Sequence, residues 1–494
     1  MSGKGLKTVI ISDSWGYGLL ETKPHPLWMA EFSFLRNKAL LVPEYGAMYI
    51  AAFLKGRGWP CEVLNLVVDV FHEERWFQER EEGLPAEATS TAPVGEEEAL
   101  RLMRENLEDS LRDLQPEVVL FPISIYYIAR HARGMLKRIR EMLPEAFLVA
   151  GGIYSTMHPA EIMEDGAADC VVRGEGEWTA WELLETLRRG GRDFSHVDGL
   201  TWRDTRGNVI HNRDRGLEKE LDRFPHIYTV SEEFRIADRH RLLKALNLFD
   251  DYIPGSGFLT SRGCPEQCTF CLDPAVWKRK TRYHSPAYVR DVLDYCWEHF
   301  PEGERSFYFG DATFALNRPR LRRLLETVRE VPYTYHIQTR ADSLTPEILL
   351  GLKESNFHSV ALGAESLDDR ILSEVVKKRT TSAEILAAAR AAREHGLNPI
   401  LTFIAGLPGE SRESLQRTVE ILRREGIREA TFFPLVVFRG TALYDLFLRT
   451  FSEEEREPLR LNQWSEEFCF ASEEFPTMQE LIDYTRELND AIRS

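Results

Sequence analysis

The chain of 494 residues has no uninterrupted apolar run approaching the ~20 residues a membrane-spanning helix needs, so no transmembrane segment is expected. Cysteine is scarce. Of seven, Cys61, Cys170, Cys296 and Cys469 are scattered along the chain, which is not the pattern of a disulfide framework. Basic charge is in deficit, with 62 Lys plus Arg against 79 Asp plus Glu and a formal net charge of −17. A dominant phosphate-neutralising surface is therefore excluded, and nucleic acid is not an expected partner. Internal repeats and low-complexity tracts are lacking. The N-terminal residues run straight into the strand-like Val9-Ile10-Ile11 without the apolar stretch of a signal peptide. Together with the unpaired cysteines this predicts a reduced, cytoplasmic protein.

The three remaining cysteines stand together in Ser261-Arg-Gly-Cys264-Pro-Glu-Gln-Cys268-Thr-Phe-Cys271, a C-x3-C-x2-C spacing. Three thiolates this close can hold three corners of a cubic iron–sulfur cluster. No fourth ligand stands nearby, so one iron would keep an open position, and an open position means chemistry. Two other readings fit the spacing alone. One is a zinc site completed by His284 or Cys296. The other is a set of buried thiols packing as small hydrophobes.

Hydrophobic residues make up 43% of the chain, enough for two to four domains with real cores. Short β-rich runs alternate with helical patterns in the first part. Strands are expected at Thr8–Ser12, Cys61–Leu66, Val118–Phe121, Phe147–Ala150 and Cys170–Val172. Helices are expected at Ala47–Gly58, Ala132–Met142 and Thr179–Leu187. That alternation predicts a mostly parallel, doubly wound α/β sheet. The acidic stretch Glu79–Glu98 reads as a surface insertion. Gly199–Ile210 reads as a β-hairpin closing this sheet, with its turn near Arg206-Gly-Asn208.

From Gly257 the rhythm resumes. Strands are expected at Ser306–Phe309, Thr334–Gln338, Ser359–Leu362, Ile400–Ile404 and Glu429–Pro434. Helical patterns lie between them at Pro319–Arg329, Pro346–Glu354, Ser382–His395 and Ser411–Glu425. Repeated βα units of this length fit a full or partial barrel with function at the C-terminal strand ends. The domain boundaries that follow are 1–198, a hairpin and connector at 199–253, a barrel at 254–438 and an acidic helical region at 439–494. Trp464, Phe468, Phe470 and Phe475 of the last region are expected to pack on the barrel.

Four features fall where the barrel strands end: Gly310-Asp311, Arg340, Gly363-Ala-Glu365-Ser366 and Gly406-Leu-Pro-Gly409-Glu410. In this order behind C-x3-C-x2-C they resemble the radical S-adenosylmethionine (SAM) superfamily, over about Gly257 to Pro434. The resemblance implies a partial (β/α)6 barrel in which Cys264, Cys268 and Cys271 bind a [4Fe-4S] cluster and SAM chelates the open iron. It further implies Phe270 near the adenine, Arg340 on the SAM carboxylate, and Glu365 on a ribose hydroxyl or the ammonium. The turn from Gly406 through Gly409 would lie against the adenosine. Leu367 and Asn356-Phe357 depart from the commoner family residues at their positions.

The N-terminal sheet resembles the Rossmann-like cobalamin-binding domain attached to one large class of these enzymes. The residues that carry this are Pro43-Glu-Tyr-Gly46, the strand into Gly151-Gly152, and Asp169-Cys-Val-Val-Arg-Gly174-Glu175-Gly-Glu177. It implies a cobalamin site lined by Ser124, Gly151, Gly152, Gly174 and Glu175 at the strand ends. The Asp-x-His-x-x-Gly motif that offers histidine to cobalt elsewhere is missing. His131 and His158 stand near the relevant loops, and both are expected to be surface or core residues. The combined resemblance implies a cobalamin-dependent radical SAM enzyme. It would methylate an unactivated carbon through a deoxyadenosyl radical and methylcobalamin; the alternative is a non-methylating cyclase, oxidase or ring-rearranging enzyme. A flavodoxin- or ferredoxin-type electron donor is implied as partner. The substrate stays open among small molecules, lipids and peptides. Asp311 is open to either a substrate contact or a stabilising role.

Overall fold

The computed structural model describes residues 6–12, 45–66, 96–124, 129–245, 256–300, 305–460 and 468–493. The Asp13–Gly18 loop, Pro43-Glu44, most of the acidic insertion and Trp464 lie outside the described residues. The chain divides into two compact units, Met1–Lys219 with Arg223–Leu248, and Glu220–Asp222 with Phe249–Ser494.

The first unit is built on a seven-stranded sheet in the order β2-β1-β3-β4-β5-β6-β7. Strands β1 (Thr8–Ser12), β2 (Cys61–Asn65), β3 (Val118–Pro122), β4 (Phe147–Gly151) and β5 (Cys170–Val172) are all parallel. Their apolar runs follow from burial on both faces: β1 reads Thr-Val-Ile-Ile-Ser and is buried throughout. Helices Tyr45–Lys55, Glu96–Leu114, Ala129–Met142 and Gly176–Arg188 connect or follow these strands. The hairpin β6 (Leu200–Arg203) and β7 (Val209–His211) adds two antiparallel strands beside β5. Its turn is held by Asp204, whose Oδ1 accepts from the N–H groups of Arg206 and Asn208. The parallel order 2-1-3-4-5 is doubly wound and reverses between β1 and β3.

The second unit carries a six-stranded sheet in the order β8-β11-β12-β13-β14-β15. Strands β8 (Ser256–Phe258), β11 (Ser306–Phe309), β12 (Thr334–Thr339), β13 (Phe357–Glu365), β14 (Asn398–Ala405) and β15 (Ala430–Pro434) are parallel and follow chain order. A helix lies between each consecutive pair, which makes this a partial (β/α)6 barrel. Between β8 and β11 the short ribbon β9 (Ser261–Arg262) and β10 (Arg282–Tyr283) brackets the cysteine segment. The far edge strand β15 is covered by the C-terminal helix Met478–Arg493. There the Asn489 amide accepts from Phe432 N and donates to Phe432 O, taking the place of a neighbouring strand. Within the C-terminal region Phe447 stacks on Phe468 at 4.9 Å and Phe451 meets Phe470 edge-on at 5.1 Å, while Phe475 has Arg412 of a barrel helix over its ring at 5.1 Å.

Candidate cofactor sites

The cysteine loop is fixed at its base. Asp311, at the end of β11, is fully buried and accepts hydrogen bonds from Thr260 N (3.1 Å), Thr260 Oγ1 (2.9 Å) and the Ser261 hydroxyl. Arg320 reaches the same segment, donating to Thr260 O at 2.9 Å and His284 O at 3.2 Å. Of the two roles left open for Asp311, this is the stabilising one. Gly263 turns the chain out of β9 with φ +91, and a Cβ there would lie 2.2 Å from Lys280 O. Only glycine fits. Further along, Thr269 donates through N to Val376 O (3.1 Å) and through Oγ1 to Val375 O (2.7 Å), and its carbonyl accepts from Leu443 N at 2.9 Å.

Cys264, Cys268 and Cys271 are half-buried and in no disulfide. Burial pushes the Cys268 thiol up to about 11 and the Cys271 thiol up to about 12. Thiolates here therefore need a compensating positive charge, which a bound iron cluster supplies. Among the described residues no three of His, Cys, Asp and Glu gather closely enough to hold a metal ion. The two suggested fourth zinc ligands both lie in the interior of this unit. His284 Nδ1 lies 3.0 Å from Asp222 Oδ1 with its ring stacked on Tyr288, and Cys296 is buried on the helix Pro286–His299. Phe270 is half-buried within the loop.

Two charged pairs flank the loop. Arg340 follows β12 and is buried, with Nε and Nη2 on the two oxygens of Asp342 (2.9 and 2.6 Å) and Nη1 3.2 Å from Glu266 Oε2. Its guanidinium thus already faces two carboxylates. Glu365 ends β13 at a bulge against β14 and adopts φ +66, a left-handed conformation for a non-glycine residue. Its Oε1 lies 3.0 Å from Lys378 Nζ, which also donates to Gly363 O. Lys378 was not expected from the sequence. It stands thirteen residues beyond Glu365 after the π-helical turn Ile371–Val376, a placement with no periodic signal.

The Gly406–Glu410 turn is organised by Glu410 itself, a role the sequence did not assign to it. Glu410 Oε2 accepts from Gly406 N and Leu407 N, both at 3.0 Å, and Ser366 Oγ donates to its Oε1 at 3.0 Å. Burial pushes the Glu410 carboxyl up to about 8, against the pull of those three donors. Gly406 has φ +89, in the left-handed region that favours glycine. A Cβ there would meet Leu481 of the C-terminal helix at 2.7 Å, so the missing side chain makes room for protein packing. At Gly409 (φ +84) the corresponding space is taken by Arg370, whose Nη2 donates to Gly409 O.

In the first unit, Ser124, Gly151 and Gly174 stand just beyond or at the C-terminal ends of the neighbouring strands β3, β4 and β5. Among the described residues, nothing lies within 4 Å of a Cβ built on Gly174 (φ +75), and only Val172 Cβ, at 4.0 Å, approaches one on Gly151. Those two positions leave room for a ligand against backbone at the C-terminal strand ends, the side on which such sheets bind ligands. Gly152 differs: with φ +91, its Cβ would strike Ile123 O at 2.7 Å and Ser124 Oγ at 2.9 Å. Glu175 is buried and turned toward the chain, its Oε2 accepting from Glu218 N at 2.9 Å. His158 is buried against the Tyr154 ring, 4.5 Å between centroids, and Nδ1 lies 3.9 Å from Glu161 Oε1. His131 is half-buried on the helix Ala129–Met142.

Comparison with known proteins agrees with this two-part geometry. Residues 258–437 match the Radical SAM superfamily model, and residues 35–184 match the B12 binding domain model. An uncharacterized methyltransferase from Pyrococcus horikoshii is 28% identical over 340 residues, 68% of this chain and 70% of the relative. The cytidylyl-2-hydroxyethylphosphonate methyltransferase of Streptomyces wedmorensis is 28% identical over 437 residues, 81% of this chain and 76% of the relative. Among solved structures, the radical S-adenosylmethionine methyltransferase TsrM from Kitasatospora setae superposes with a TM-score of 0.63 at 16% identity. That match covers 90% of this chain and 78% of TsrM, and it bears on fold alone. Among the described residues, no helix is long and apolar enough to cross a membrane.

Proposed function

We propose that this chain, which joins a radical SAM domain to a B12 binding domain, is a cobalamin-dependent methyltransferase acting on an unactivated carbon. The observation that carries the reading is the loop of Cys264, Cys268 and Cys271, pinned by Asp311 at the C-terminal end of a parallel (β/α)6 sheet. The buried Glu365–Lys378 pair flanks it. A [4Fe-4S] cluster with SAM in the second unit would supply radical chemistry, and cobalamin in the first a methyl carrier.

The protein's own part is to hold and orient. The three thiolates hold the cluster and leave one iron open. Among the described residues Lys378 Nζ meets Gly363 O and Glu365 Oε1, and its ammonium has a further N–H that would reach the SAM carboxylate alongside Arg340. Arg340, committed to Asp342 and Glu266, positions the loop and adds positive charge beside that carboxylate. Glu365 offers Oε2 to a ribose hydroxyl or the ammonium, and Phe270 an aromatic face to the adenine. The turn Gly406–Gly409, stiffened by Glu410, forms the wall behind the adenosine. In the first unit Ser124, Gly151 and Gly174 line the corrinoid, and Gly152 and Glu175 shape the turns beneath it. The electron comes from a flavodoxin- or ferredoxin-type donor in the cytoplasm. The methyl acceptor is a small molecule, lipid or peptide. Both of the curated relatives named above are described as methyltransferases, which supports methyl transfer over ring closure or oxidation.

Anaerobic purification with iron, sulfide, cobalamin, SAM and dithionite tests the reading. The expected result is deoxyadenosine and retained corrinoid from the parent chain. A variant with Cys264, Cys268 and Cys271 all changed to Ala should make no deoxyadenosine. Zinc in place of iron, or an intact cluster that never cleaves SAM, would overturn it. Incorporation of a labelled methyl group from SAM into a product separates methylation from the cyclase or oxidase alternative.

A further inference from the structure

Glu266 is the one acidic residue between Cys264 and Cys268, and it is buried. Its two oxygens hold two different cations: Oε1 accepts from Arg379 Nη2 at 2.9 Å, and Oε2 lies 3.2 Å from Arg340 Nη1. Arg340 is buried while the Arg379 side chain is 76% exposed, so the carboxylate bridges an inner and an outer arginine. A buried carboxylate placed against metal-binding thiolates opposes metal binding unless it is offset, and here two guanidiniums offset it. The other charged groups near the loop are Lys378 with Glu365, Asp342 on Arg340, Asp273 beside Cys271, and Arg279, which donates to Pro265 O.

We propose that Glu266, bridging Arg340 and Arg379, is a positioning and charge-tuning residue that sets how readily a cluster on Cys264, Cys268 and Cys271 accepts an electron. The inference rests on the cluster reading above. Adding an electron increases negative charge among the thiolates, so neighbouring cations favour reduction and neighbouring carboxylates oppose it. Glu266 and Arg379 therefore act with opposite sign on one equilibrium. A group that merely held the loop in place would not produce that opposition.

The test is a redox titration of the reconstituted, SAM-free protein, with the reduced cluster followed by its paramagnetic resonance signal and iron counted per chain. Glu266→Gln keeps the shape and removes the charge. It should raise the reduced-to-oxidised ratio at a fixed poise by on the order of tenfold. Arg379→Gln should lower that ratio by a smaller factor, and the effect should fade as salt screens its exposed charge. Shifts of the same sign in both variants, or no shift with full iron content, would overturn the proposal. If Glu266→Gln fails to assemble a cluster, Arg379→Gln decides alone: an unchanged ratio at low salt rejects charge tuning. Failure of the parent chain itself to bind iron would instead overturn the cluster reading, and this inference with it.

Discussion

Lys378 Nζ lies 3.0 Å from Glu365 Oε1 and also donates to Gly363 O, tying the end of β13 to the residues that follow the π-helical turn. The pair holds Glu365 in its left-handed conformation at a β-bulge, where a non-glycine residue is under strain. Both side chains are largely buried, at 5% exposure for Lys378 and 14% for Glu365.

Removing one partner should therefore be worse than removing both. Lys378→Met leaves a buried, uncompensated carboxylate and should destabilise the chain by about 3 kcal/mol. The double variant Lys378→Met with Glu365→Leu should recover most of that in denaturant unfolding while still failing to cleave SAM. Additive losses across this double-mutant cycle would show that the two side chains are not coupled.

Glu410 predicts a pH dependence with a definite sign. Its folded-state carboxyl is raised from 4.5 to about 8 by burial, so folding favours the protonated form. The stability it contributes is present in full below about pH 4.5 and is lost as pH rises through about 8. That amounts to a few kcal/mol. Glu410→Gln keeps an acceptor for Gly406 N and Leu407 N and cannot ionise. Unfolding free energies of the two proteins, measured from pH 5 to 9, should diverge with the variant ahead at the alkaline end. Parallel curves would mean that Glu410 ionises in the fold without penalty.

Asp311 should control iron content rather than substrate. Asp311→Ala leaves Thr260 N, Thr260 Oγ1 and Ser261 Oγ without their acceptor in a buried site. Unmet donors of this kind cost about 1–3 kcal/mol each. A lower unfolding free energy with less iron per chain after reconstitution is the expected pair of results. Normal iron with lost product formation would place Asp311 on the substrate instead.

The strands were legible because parallel strands buried on both faces must be apolar, as Val118-Val-Leu-Phe121 shows. The strand-end positions of Asp311, Arg340, Glu365 and Gly406 followed from the same alternation. Lys378 was missed, and Glu410 was marked without its organising role, because both roles depend on contacts between separate turns: a lysine in Val-Lys-Lys-Arg and a glutamate after Pro-Gly look like solvated charges. The cap at Ser285-Pro286, with Ser285 accepting from Tyr288 N, was readable as the start of the helix Pro286–His299 and was passed over beside the cysteines. The loop glycines were marked correctly as special, but sequence could not say what fills the space beside each. At Gly406 it is Leu481, seventy-five residues away.

That ambiguity is resolvable in the first unit, where two adjacent glycines should answer differently. Gly152 has φ +91 and its Cβ would meet Ile123 O at 2.7 Å, so Gly152→Ala combines backbone strain with a clash against main chain. Unfolding of the corrinoid-free protein should weaken by roughly 3 kcal/mol or more. Gly151 has no positive φ, and its Cβ would sit 4.0 Å from Val172 Cβ, in ordinary contact. Gly151→Ala should leave corrinoid-free stability within about 0.5 kcal/mol of the parent. Any loss of corrinoid retained after desalting would then report a ligand lying against that backbone. If Gly151→Ala keeps both its stability and its corrinoid, the ligand does not touch β4 there, and the site must be built from Ser124 and Gly174 alone.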